Sequence, residues 1–238
     1  MKLLKGFALA FSMFSIIPFF KIHNFFKGIN GYSAMFYPLV GFILGSILYT
    51  IFLLLSPFTP PIHLAVIIFV LWSILTGALH LDGFSDTVDG LFVDSSKSLE
   101  IMKDPHVGGM GMIFSLVFLI FKLSSLIYAN AYYLLPIILM LSRLNATLAI
   151  YFSNYISTGI GKLIKDELNI KHIIFSLFYS LLLSYIFGFF SAIFISFSTL
   201  FILRWFFTSR LGGLNGDIYG FIIEVTELVL LNYIILNL

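Results

Sequence analysis

Hydrophobic residues run along this chain in long unbroken blocks, separated by a few short polar stretches. Residues 33–55 and 62–79 make a first pair of blocks, joined by the uncharged, Pro-rich turn from Ser56 to Pro61. Residues 109–128 and 137–152 make a second pair, joined by an uncharged turn near Asn130 and Pro136. The run 173–207 is too long for one helix across a bilayer, and Gly188 is its expected hairpin point; a last block covers 218–237. A crossing needs roughly 17–25 mostly apolar residues. The pattern therefore predicts an all-α, polytopic transmembrane helix bundle with about seven spans, formed as a single domain over residues 1–238. A transmembrane β-barrel would alternate over short segments, and these blocks do not.

The charges between the blocks predict a topology. Lys97, Lys103, Lys162, Lys165, Lys171 and Arg210 fall in alternate loops, whereas the turns near 56–61, 129–136 and 188 carry no charge. By the positive-inside rule the charged loops are cytoplasmic: the acidic segment 80–108, the polar loop 153–172 and the Gly-rich loop 208–217. Lys2, Lys5, Lys21 and Lys27 fit if residues 7–20, interrupted by Pro18, form an interfacial or re-entrant helix instead of a span. That N-terminal stretch lacks a convincing small-residue cleavage site and is expected to be retained. Lys122 and Arg143 lie inside blocks and should face the bundle interior or a polar cavity.

Composition narrows the class. The chain is 60% hydrophobic and 10% charged, with a mean hydropathy of +1.07; a soluble domain carries about a quarter charged residues. A net charge of +2 is too small to argue for nucleic acid as a partner, and the lack of cysteine excludes disulfides, thiolate metal sites and Cys nucleophiles. Of 29 Phe, most are expected to face lipid.

Against that background the acidic residues stand out. Asp82, Asp86, Asp89, Asp94, Glu100 and Asp104 lie within one short segment, more than half of the 11 Asp and Glu in the protein. Clustered carboxylates repel and are costly to desolvate beside a membrane, so a positive partner is expected. On a helix at about 100° per residue, Asp82, Asp86 and Asp89 fall within roughly 60° of one another. Three oxygen-donor side chains on one stripe suit Mg²⁺ or Mn²⁺, which share such ligands with substrate phosphates. His80 lies about 160° from Asp82 on the same wheel. Asp217 and Glu224 share a helix face to within about 20°, with Glu227 near its edge, and could supply a second metal position. A solvated helix face and a helix cap are the bland alternatives for these acids.

Glycines flank both acidic elements: Gly108, Gly109 and Gly111 before one block, Gly212, Gly213 and Gly216 before another. Glycine near a helix N-terminus lets amides approach phosphate, although it equally serves tight turns and close helix packing. Lys103, His106, Lys122, Arg143, Arg204 and Arg210 are candidate phosphate clamps, or residues that set topology or snorkel.

The string Leu75-Thr76-Gly77-Ala78-Leu79-His80-Leu81-Asp82-Gly83-Phe84-Ser85-Asp86-Thr87-Val88-Asp89-Gly90-Leu91-Phe92 closely resembles the signature of the cobalamin synthase family. Leu99-Glu100-Ile101-Met102-Lys103-Asp104 resembles that family's L-E-I-M-K-D, and Phe36-Tyr37-Pro38-Leu39-Val40-Gly41 its F-P-L-V-G. Leu211-Gly212-Gly213-Leu214-Asn215-Gly216-Asp217 is similar to its L-G-G-x-T-G-D, with Asn215 where Thr is usual, and Ser142 stands where Gly usually precedes Arg143. The resemblance spans most of the chain. It implies an integral membrane transferase, needing Mg²⁺, that joins adenosylcobinamide-GDP to α-ribazole or its 5′-phosphate and releases GMP. It further implies a cytoplasmic-membrane location and leaves room for self-association or contact with other enzymes of the cobalamin pathway. In site terms, Asp82, Asp86, Asp89, Asp217 and Glu224 are expected to hold metal. His80 or Asp89 is the expected general base, and Lys103 a catalytic cation. Arg143, Arg210, Gly212, Gly213, Asn215 and His106 are expected at substrate phosphates. The D-G-x-x-A-R run of the CDP-alcohol phosphotransferases is missing, since Phe84-Ser85-Asp86-Thr87 follows Asp82-Gly83. A divalent-cation carrier would want acids facing each other at mid-membrane instead of at one face.

Overall fold

The structure is a computed structural model that describes residues 1–17 and 26–237. Among these, twelve α-helices follow one another: α1 Lys2–Phe14, α2 Ile29–Met35, α3 Tyr37–Leu55, α4 Pro61–Leu75, α5 Leu79–Leu91, α6 Ser95–Ile101, α7 Gly109–Ala129, α8 Leu135–Phe152, α9 Ile160–Glu167, α10 Ile170–Ile186, α11 Ser191–Leu211 and α12 Gly216–Asn237. Five are long and apolar enough to cross a membrane, and counting the bent pairs α4–α5 and α9–α10 as one crossing each brings the total to seven. The chain is a multi-pass membrane protein.

Local sequence explains where these helices start and stop. Proline occupies the first turn of α3, α4 and α8, where its missing N–H costs nothing. Asn169 caps α10, accepting from the Lys171 and His172 amides at 3.0 and 3.3 Å. Gly188, at φ +68°, turns the expected hairpin between α10 and α11. α8 is the axis of the bundle, with every residue from Leu135 to Ile150 buried. Gly41 and Gly45 let α3 close against it: a Cβ at Gly41 would sit 2.2 Å from the Leu139 carbonyl, and one at Gly45 2.5 Å from the Leu135 carbonyl. This is the small-xxx-small contact by which membrane helices gain dispersion energy.

Three expectations are revised. The second block ends as a helix at Leu75 instead of 79, and α5 leaves α4 at an angle of 83°. Gly77 and Ala78 make that corner with φ of +63° and +52°; the left-handed conformation costs an alanine about 1–2 kcal/mol, so surrounding packing must hold it. The polar loop 153–172 contains the amphipathic helix α9, whose Glu167 accepts from the Asn30 amide at 2.9 Å and so caps α2. The expected N-terminal helix runs over 2–14, at about 1.5 Å per residue too short to cross. Pro18 and Lys21, invoked for its end, lie outside the described residues.

Beyond its corner α5 runs antiparallel to both α7 and α12. Asp89 meets Gly108 and Gly111 at the start of α7, while Phe84 meets Phe118 further along it, with ring centroids 4.3 Å apart. Gly83 and Gly220 allow the other contact: a Cβ on Gly83 would lie 2.9 Å from the Asp217 carbonyl, and one on Gly220 3.0 Å from that of His80. The acidic helix is thereby laid against the first turns of α12.

Candidate active site

Backbone contact between Gly83 and Asp217 brings two acidic elements together. Asp82 is exposed and Asp86, one turn on, is half-buried; Asp82, Asp217 and Asp89 are the charged neighbours of Asp86. Asp217 stands in the first turn of α12, where the Ile218 amide donates to Asn215 Oδ1 at 3.0 Å. Asn215 Nδ2 also donates to Asp217 Oδ2 at 2.8 Å. Asn215 therefore caps the helix and orients the carboxylate, a role its amide fills without the hydroxyl that is usual at this position. Lys103 is the cation that acts on Asp217. Among the described residues no ion pair neutralises Asp82, Asp86 or Asp217.

Other expected members of the site are engaged elsewhere. Asp89 is buried and accepts from the Gly108 amide at 2.8 Å and the Gly111 amide at 2.7 Å, one through each carboxylate oxygen. The glycines before α7 thus bind an anion, but it is the protein's own carboxylate, and a Cβ on Gly108 would lie 2.3 Å from it. Asp89 thus holds α7 to α5 while remaining a charged neighbour of Asp86. Glu224 is likewise corrected: it is buried and accepts from Lys122 Nζ at 2.6 Å. Lys122 also donates to Glu227 at 2.5 Å, and Arg143 pairs with Glu227 on its other side. Two buried cations and two buried anions form a closed group between α7, α8 and α12. Arg143, fully buried there, is not placed to clamp a phosphate.

The remaining candidates have structural contacts of their own. Arg210 Nη2 donates to the carbonyls of Leu91 and Val93, both at 2.9 Å, and so closes the C-terminus of α5. Gly212, at φ +80°, ends α11. Gly213 lies against Asn154, where Leu214 and Tyr155 form an isolated bridge with the Leu214 amide 2.9 Å from the Asn154 carbonyl. His106 is exposed and contacts Asp104, with Nδ1 2.7 Å from Oδ1; hydrogen bonds from the His106 amide and ring hold the Asp104 carboxyl below its usual range.

His80 sits 4% exposed at the first turn of α5, its ring 5.0 Å from that of Phe14. Its Nδ1 has no hydrogen-bond partner. His80 and Asp82 share the wall of an open-sided cavity of about 270 Å³ with Asp217 and Tyr219 of α12 and with residues of α1, α3, α8 and α9. Sequence reasoning did not reach this cavity, because six helices contribute to it.

The donor set also decides whether a divalent cation fits. No three His, Asp or Glu side chains among the described residues form a ready-made cage. Three uncompensated carboxylates that meet at one face still offer hard oxygen donors. Mg²⁺ is commonly bound in this way, by one or two carboxylates and completed by substrate phosphates. Asp82, Asp86 and Asp217 have no ion-pair partner and are available to such an ion, whereas Asp89 is held by the Gly108 and Gly111 amides and Glu224 is paired with Lys122.

The model of the cobalamin-5-phosphate synthase family matches residues 6–235. An adenosylcobinamide-GDP ribazoletransferase of Desulfitobacterium hafniense is 36% identical over 221 residues, covering 84% of each chain. One from Acinetobacter baumannii is 35% identical over 211 residues, 85% of each chain, and one from Syntrophobacter fumaroxidans 33% over 238, 95% of this chain and 96% of its own. No solved structure matches the chain.

Proposed function

This chain belongs to the cobalamin-5-phosphate synthase family, and on that premise we propose how its acidic face carries out the transfer. The enzyme joins adenosylcobinamide-GDP to ribazole to form cobalamin. In the proposed reaction the ribose hydroxyl of α-ribazole, or of its 5′-phosphate, attacks the phosphorus attached to cobinamide. The bond from that phosphorus to the bridging oxygen breaks, and GMP leaves. Such transfers depend mainly on positioning and charge stabilisation.

The observation that carries this reading is the set of three carboxylates without an ion-pair partner, Asp82, Asp86 and Asp217, on two packed helices, with Asp82 and Asp217 on the wall of a cavity. These residues would hold Mg²⁺, which when bound supplies positive charge to the diphosphate oxygens. Lys103, already near Asp217, steadies a non-bridging oxygen. Of the two expected bases, Asp89 has both oxygens engaged by amides, whereas His80 belongs to the cavity wall and its buried Nδ1 is unpartnered. His80 takes the hydroxyl proton at Nδ1. The positive-inside rule, applied to Lys97, Lys103, Lys162, Lys165 and Arg210 in the charged loops, supports a cytoplasmic orientation for this face.

The test is GMP release by purified protein supplied with adenosylcobinamide-GDP and α-ribazole. Release that requires both substrates, stops on chelation and returns with Mg²⁺ is expected. Undiminished release in chelator would remove the metal from this proposal.

A further inference from the structure

Arg204, one of the candidate phosphate clamps, ties α11 to the end of α8: its Nε donates to Ser153 Oγ at 3.0 Å and its Nη2 to the Phe152 carbonyl. Lys165 of α9 converges on the same helix end, donating from Nζ to the Tyr151 carbonyl. Lys162 and Arg204 are the cations that act on Lys165. Capping α8 accounts for part of this charge, since a helix C-terminus carries about half a negative charge. Of the acids on α9, Asp166 pairs with Lys162 at 3.0 Å, while Glu167 is taken up by the amide and side chain of Asn30. Three cations thus share one carboxylate and a helix end, and positive charge is left over. Among the described residues Arg204 pairs with no acid, and its Nη1 donates to nothing.

What surrounds this charge is suited to lipid. α11 is long and apolar enough to cross a membrane, and Arg204 lies about 10 Å along its axis from the final residue, Leu211. Arg204, Trp205, Thr208 and Ser209 line a cleft of about 180 Å³, with Phe201 one turn deeper. Phe201 is 70% and Trp205 65% exposed, and tryptophan is favoured at the level of lipid headgroups. On α9, Ile160 and Leu163 are exposed beside Lys162 and Lys165, the pattern of a helix that lies in the interface. We propose that Arg204, Lys165 and Lys162 form a headgroup site for an anionic phospholipid, with its phosphate at Arg204 Nη1 and an acyl chain along Phe201. Basic pockets between membrane helices take anionic headgroups in this way. A zwitterionic lipid would bring its own cation into a site that is already positive. A soluble phosphate would leave the apolar end of the cleft empty. Because α9 also lends Ile160, Gly161 and Ile164 to the cavity wall, the lipid steadies an element of the candidate active site.

Trp205 reports on this site directly: the protein has two tryptophans, and the other, Trp72, is buried. The full chain is placed in phosphatidylcholine vesicles that contain a minority of brominated phosphatidylglycerol or, in parallel, of brominated phosphatidylcholine. Quenching of tryptophan fluorescence is followed against the brominated fraction, and the signal of Trp205→Phe is subtracted as the Trp72 background. Each cation near a membrane surface favours anionic lipid about fivefold, so phosphatidylglycerol should be preferred by about tenfold or more. Arg204→Gln should lower that preference about fivefold, and Arg204→Lys, which keeps the charge, should retain most of it. Equal quenching by the two lipids in wild type overturns the site without reference to any variant, and an unchanged preference in Arg204→Gln does so too. Displacement of the lipid by inorganic phosphate at constant ionic strength would also overturn it, by marking a site for a soluble anion.

Discussion

α12 carries acids of two kinds, two turns apart. At its start, Asp217 meets Asp82 and Asp86 of α5, and no ion pair neutralises them. Deeper in the bundle, Glu224 and Glu227 are enclosed by Lys122, Arg143 and Ser142, with Lys122 also over the Trp72 ring at 4.4 Å from its centroid. Both groups sit on one helix and have nearly the same residue chemistry. What separates them is compensation: the deep pair has its cations built in, as burial away from water demands, and the outer group does not. An acid in a membrane helix therefore marks a ligand site only where the fold withholds its counter-charge.

The largest contrast comes from removing the outer carboxylates. Asp82→Ala, Asp86→Ala and Asp217→Ala should each lower turnover by about 10³-fold or more, because a metal's stabilisation of transferring charge is worth several kcal/mol. Each variant should insert normally and unfold no earlier than wild type, since removing one of three repelling charges relieves the folded state. Turnover assays and thermal unfolding in the same membrane preparation read both. Wild-type turnover in all three variants would exclude this face from the chemistry.

The deep group should respond in the opposite sense. Arg143→Met strands Glu227 with one cation, and breaking a buried pair costs about 3–5 kcal/mol. Lower thermal stability and poor accumulation in the membrane are expected. Replacing Arg143 and Glu227 together by Met and Leu should recover much of that loss, as an apolar substitute for a whole buried pair is often neutral. If Arg143→Met left stability intact and abolished turnover alone, Arg143 would belong with the substrate after all.

Most of this division was only half legible in the residues. Blocks of apolar sequence gave the helices, and a 3.6-residue repeat put Asp82 and Asp86 on one side of α5. The same repeat put Asp89 with them and Glu224 with Asp217, because a helical wheel reports direction and not depth or partners. Lys122 and Arg143 were recognisable as interior charges. That they answer Glu224 and Glu227 depends on the register of α7 and α8 against α12, which neither helix's own sequence states. Asp89 was beyond reach for a related reason: its partners are backbone amides of Gly108 and Gly111, and amides have no sequence signature except the glycines that expose them. The cavity needed six helices at once.

Asp89 gives the finest test of the comparison, since it lies on the helix of the outer group but is satisfied like the inner one. Asn keeps one carbonyl oxygen and loses the charge, so at least one of the two amide bonds from Gly108 and Gly111 weakens. A hydrogen bond to a charged acceptor is worth about 1.5–3 kcal/mol, and the loss should fall where α7 begins. Hydrogen exchange at the Gly108 to Met112 amides should quicken in Asp89→Asn before global stability changes. Turnover should fall by about tenfold or less, in keeping with a group that supports reacting residues without ligating the metal. If Asp89→Asn instead matched Asp82→Ala in turnover and left those amides protected, Asp89 would be a ligand, and the two amide bonds would be a resting arrangement that substrate displaces.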